Sequence, residues 1–104
     1  MENFETKLWN EVNDLLEKNK LENALVHLYM ELNHNIDNPD NLNNFLMYVM
    51  DKPLNSDVIV HILNAVSPRK LKLSNWDEFV STSTSRLNEL VGSELTQRLL
   101  KVIH

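Results

Sequence analysis

His27, Glu31 and His34 fall at i, i+4 and i+7, which sets two imidazoles and a carboxylate on one helix face, a spacing that metal chemistry can use. Within that set, Glu31-Leu32-Asn33-His34 reproduces the Glu-x-x-His element of di-iron helical bundles. Such a centre needs a second Glu-x-x-His and two further Glu on facing helices. The chain has no second copy, and no His-Glu-x-x-His either. The simpler reading of the strip Asn23, His27, Glu31 and His34 is the solvent face of an otherwise apolar helix. Asp57 and His61 are i, i+4 neighbours near a helix start, where a carboxylate suits the helix dipole. No Ser or Cys nucleophile is identifiable beside them. The expectation is a protein that is not an enzyme and uses no metal or cofactor.

Arg69-Lys70-Leu71-Lys72 is the only basic cluster, and three charges on a chain of net charge −5 make a poor footprint for nucleic acid. Gly92 sits where the turn of a helix-turn-helix would lie. The helix after it offers a groove only Gln97, Arg98 and Lys101. Nucleic acid is therefore not an expected partner. Charge points elsewhere. Residues 1–66 carry eleven carboxylates against four Lys, whereas residues 67–104 carry four against six Lys or Arg. The first two-thirds thus present a negative field, which attracts a basic protein and repels nucleic acid or anionic lipid. Glu5, Glu11, Asp14, Glu17, Glu22 and Glu31 are the candidate contact acids. Trp9 lies at the edge of its helix's apolar stripe. It is either core packing or an aromatic anchor ringed by Glu2, Glu5, Asn13 and Glu17.

The 104 residues fit one domain, and 42% hydrophobic content is enough for a core. The absence of Cys excludes disulfides and thiolate chemistry and suits a cytoplasmic home. The acidic, polar-interrupted start is not a signal peptide, and no run approaches the roughly 18 apolar residues of a membrane span. Fifteen Asn read as cap and surface residues.

Positioning these side chains falls to helices, because one Gly and three Pro leave few hairpin turns. Apolar residues at 4, 8, 12, 15 and 16 predict a first helix ending near Asn19. Leu21, Ala24, Leu25, Leu28 and Leu32 predict a second, joined to the first by a hairpin or a sharp bend. Val26, Tyr29 and Met30 lie off that stripe, so the second helix is expected at the centre of the bundle. Asn38-Pro39 reads as an N-cap followed by Pro at the first helical position. The third helix, about residues 40–51, is apolar nearly all round and expected to be buried. Pro53 stops it.

Ser56 is expected to cap a fourth helix, with Val58, Ile59, Ile62, Leu63 and Val66 inward and Pro68 closing it. Val58-Ile59-Val60 is the one place a strand competes, and the i, i+4 spacing beyond it favours helix. Ser74 and Asp77 suggest a capping box for a fifth helix carrying Trp76, Phe79, Val80, Leu87, Leu90 and Val91, with Ser83 holding the stripe in phase. Gly92 stops it, and Ser93 is expected to cap a last helix with Leu95, Leu99, Val102 and Ile103. The expected architecture is all-α, a single domain of five or six short helices.

In size, acidity and helicity across the whole chain, the sequence resembles the small helical immunity proteins of bacterial contact-dependent and polymorphic toxin systems. The resemblance involves no motif. It implies a stoichiometric inhibitor that covers the active or nucleic-acid-binding surface of a basic, nuclease-type toxin, the six acids standing in for phosphate charge. The alternative is a small adaptor or regulatory subunit that binds a peptide or helix of another protein. A helix-turn-helix module is the third reading.

Overall fold

Asn3, Asn38 and Asn55 start three of the six α-helices in the computed structural model, which describes residues 2–103. Each amide oxygen accepts a backbone N–H three residues on, at 2.9, 3.2 and 2.8 Å respectively. These bonds satisfy donors that the first helical turn leaves open. The helices are α1 (Phe4–Glu17), α2 (Leu21–His34), α3 (Pro39–Val49), α4 (Ser56–Val66), α5 (Trp76–Val91) and α6 (Ser93–Ile103). A 3-10 turn, Ser67–Lys72, leaves α4 where Pro68 removes a backbone donor. No strand occurs among the described residues, and Val58-Ile59-Val60 is helical.

α1 and α2 form a hairpin. Asn19 takes the left-handed conformation (φ 59°), so that Lys20 N–H reaches Leu15 C=O at 2.9 Å and its own N–H reaches Leu16 C=O at 3.1 Å. This is a Schellman termination with Asn in the place usually held by Gly. Between α5 and α6 the turn is a single residue. Gly92 (φ 86°, ψ 158°) donates to Asn88 C=O, and its own carbonyl accepts from both N–H and Oγ1 of Thr96. It therefore both ends α5 and caps α6, a role expected of Ser93.

Two other expected caps are also displaced. Asn55, not Ser56, caps α4. The Ser74–Asp77 box does not form, because α5 begins one residue too late for it. Instead, Asn43 of α3 accepts the Asn75 N–H at 2.9 Å. Asn35 and Asn41 tie the α2–α3 connection, through Asn35 to Glu31 C=O (2.8 Å) and Asn41 to Asn35 (2.9 Å). Much of the Asn content is thus spent on helix ends and loops.

The molecule measures 41 × 34 × 21 Å. Its thinnest dimension holds about two helices of roughly 10–12 Å diameter. In such a slab every helix has an outward side, and this overturns two expectations. α2 is not the central helix: Ala24, Leu28 and Leu32 are buried, while Val26, Tyr29 and Met30 face outward. α3 buries Leu42, Phe45, Leu46 and Val49 but leaves Met47 exposed. The hub is α4, which packs against α2, α5 and α6 and buries Val58, Ile59, Ile62, Leu63, Ala65 and Val66. Phe45 meets Phe4 of α1 edge-on, with ring centroids 6.2 Å apart.

Ser83 does hold the α5 stripe in phase, buried between Phe79 and Leu87, whereas Leu90 is exposed. α6 is rotated from expectation. Thr96 is buried, with Leu100 and Ile103 packed against the core, and Leu95 and Val102 point to solvent.

Candidate protein-binding surface

The acids proposed to meet a partner are spread around α1 and α2 rather than gathered. Glu11 Oε1 lies 3.0 Å from His27 Nε2, joining the two helices. Asp14 pairs with Lys18 at 2.9 Å, and Glu17 accepts from Asn13 at 3.4 Å. Glu5 is half-buried on the Trp9 side of α1, one turn before it. Glu31 is half-buried in a hollow shared with Phe4, Lys7, Leu8 and Glu11. Glu22 stands exposed on the outer face of α2. Exposed pairs of this kind are worth about 0–1 kcal/mol, so a partner can replace them at little cost.

Of the two roles expected of Trp9, partner anchor is the one overturned. Only 8% of Trp9 is exposed, within the cluster that holds Leu8 and Val12, so it is core packing and no anchor. The aromatic that does reach solvent is Tyr29.

Val26, Tyr29 and Met30 are 59%, 47% and 50% exposed. At i, i+3 and i+4 they share one helix surface. An open trough of about 480 Å³ runs on its α1 side, lined by Leu15, Glu22, Asn23, Val26, His27 and Met30. A second, of about 430 Å³, lies on the α4 side between Leu25, Val26, Tyr29, Met30, His61 and Asn64. Val26 and Met30 form the ridge between them. The result is an apolar centre with a polar, partly acidic rim, the arrangement of a protein-binding patch. Tyr and Met are both enriched in such patches, Met because its thioether adapts to the opposing surface.

The sequence contained this signal in Val26, Tyr29 and Met30 lying off the main stripe. Apolar residues all round a helix predict burial from the sequence alone, but the period of a helix does not reveal how many neighbours surround it.

The remaining candidate chemistry resolves into structural roles. The polar strip of α2 does not simply face solvent: His27 and Glu31 lie along α1, and the open side is the apolar one. Among the described residues no three His, Asp or Glu converge to hold a metal. His61 Nδ1–H donates to the backbone carbonyl of Asp57 at 2.7 Å, not to its carboxylate. In the basic cluster, Arg69 donates to Ile36 C=O (3.1 Å) and to the Asp37 carboxylate (3.3 Å), clamping the α2–α3 connection. Among the described residues no helix is long and apolar enough to cross a membrane. Compared with known proteins, the chain matches no family model, no curated protein and no solved structure.

Proposed function

We propose that this chain is a stoichiometric protein-binding protein that docks a basic partner on the outer face of α2. In its sharpest form it is an immunity protein that neutralises a nuclease-type toxin by covering the toxin's active or nucleic-acid-binding surface. The observation that carries the reading is the half-exposed group Val26, Tyr29 and Met30 beside Glu22, set among the acids of α1 and α2. An apolar centre supplies affinity when water leaves it, and surrounding negative charge speeds the approach of a cationic surface.

The two troughs flanking the Val26–Met30 ridge favour a second reading, an adaptor that grips a helix or peptide of another protein. Co-expression with a nuclease domain encoded beside this gene separates the two. Under the immunity reading, cells survive the nuclease and the Glu11→Lys/Asp14→Lys/Glu17→Lys variant associates more slowly, with a flatter salt dependence. The matched Glu89→Lys/Glu94→Lys variant changes little. Failure to protect sinks the immunity reading in favour of the adaptor. An unchanged rate and salt slope in the triple variant shows the α1 acids to be solvation alone.

A further inference from the structure

A separate cavity of about 210 Å³ lies between the α3–α4 connection and one flank of α5. It shares no residue with the troughs beside α2. Its floor is apolar, made by Met50, Leu54, Ile59 and Phe79, and its wall on α5 carries Thr82, Ser83 and Ser85. Lys52 and Arg86 also line it. Three features distinguish it from a packing defect.

Ser83 is only 4% exposed and lines the cavity, where its hydroxyl keeps access to solvent. Arg86 is half-buried and forms neither a hydrogen bond nor an ion pair with the described residues. Lys52 rests its ammonium 4.6 Å above the Tyr48 ring, and no carboxylate among the described residues pairs with it. A guanidinium and an ammonium without carboxylate partners among the described residues, beside an accessible hydroxyl and over an apolar floor, leave donors free for an anionic ligand. Glu89 is also part of the lining, and two cations against this one carboxylate leave the lining net positive.

We infer that this cavity binds a small carboxylate with an apolar body. The guanidinium takes the carboxylate in its two-pronged donor geometry, the Ser and Thr hydroxyls complete the oxygens' bonds, and the aliphatic and aromatic floor covers the rest. The volume falls below the roughly 300–1,000 Å³ of drug-sized sites, which confines the ligand to one ring or a short branched chain. Thr82, Ser83 and Ser85 thereby have a use: hydroxyl-bearing residues along one cavity wall.

The test titrates the full-length protein with benzoate and follows backbone amides by ¹⁵N–¹H correlation spectra. The expected result is saturable shifts at residues 50–54 and 82–89, with millimolar or tighter affinity. Arg86→Gln should weaken binding by about tenfold or more, and Ser83→Ala by about threefold with the melting temperature retained. Benzyl alcohol, lacking the charge, and inorganic phosphate, lacking the apolar body, should each bind much more weakly. Absence of saturable shifts, shifts centred elsewhere, equal binding of either control, or indifference to both substitutions would each overturn the inference. Should Arg86→Gln fail to fold, Ser83→Ala carries the comparison.

Discussion

Val26→Thr combined with Met30→Gln keeps the shape of the α2 ridge and removes most of its apolar character. If these residues stood in the core, such a pair would cost several kcal/mol through buried, unsatisfied polar groups. They are instead 59% and 50% exposed. Full burial of a Val or Met side chain is worth about 1.5–3 kcal/mol, and Thr and Gln retain part of each stem, so folding should lose less than about 1 kcal/mol. Leu28→Ala, from the buried side of the same helix, should lose about 2–5 kcal/mol. Urea unfolding with an unchanged denaturant slope reads both variants on one scale.

Binding should respond in the opposite order of sensitivity. Docking covers the exposed half of each residue, about 1 kcal/mol apiece, so the double variant should lose about 2 kcal/mol, or roughly 30-fold in Kd. A Val26→Thr/Met30→Gln protein that unfolds as readily as Leu28→Ala would show the ridge to be core. One that folds normally and binds its partner at full strength would show the ridge to be irrelevant to binding.

The two hinges between helices make independent predictions. Gly92→Ala meets no atom within 4 Å, yet φ 86° with ψ 158° is backbone that L residues rarely adopt. It should therefore destabilise by about 1–3 kcal/mol from backbone strain alone, visible as a drop in melting temperature. An unchanged melting temperature would mean that the α5–α6 turn relaxes. Asn19→Ala should cost about 1 kcal/mol at the α1–α2 hairpin, lowering the melting temperature by about 4–8 °C, while Asn19→Gly should be neutral or stabilising. If the Ala and Gly variants melt together, the left-handed residue is not what holds that turn. Arg69→Met should loosen the α2–α3 connection, raising amide exchange at residues 35–38, since two of its donors bond there. Unaltered exchange would show the clamp to be dispensable.

The helices and their approximate bounds were legible in the sequence, because they depend on neighbours along the chain, although three of the expected caps lie one residue away. Asn38-Pro39, Pro53, Pro68 and Gly92 act through their own dihedral angles and missing or redirected donors, whatever surrounds them. The inward face of α4 was legible for the same reason: its apolar spacing leaves one side to bury. Which helix would be central was not legible. α2 and α4 are both rich in apolar residues, and periodicity reports the polarity of a face without saying whether a neighbour exists to cover it. That depends on how six short helices stack.

A slab 21 Å thick gives α4 neighbours on several sides and packs α2 chiefly against α1 and α4, and so leaves Val26, Tyr29 and Met30 outside. The same stacking buried Trp9, turned Leu95 and Val102 of α6 outward, and brought Ser83 and Arg86 of α5 to one cavity with Lys52. Local chemistry set the elements, but burial is shared between elements distant in sequence, and only their packing decided which side chains were left for a partner or a ligand.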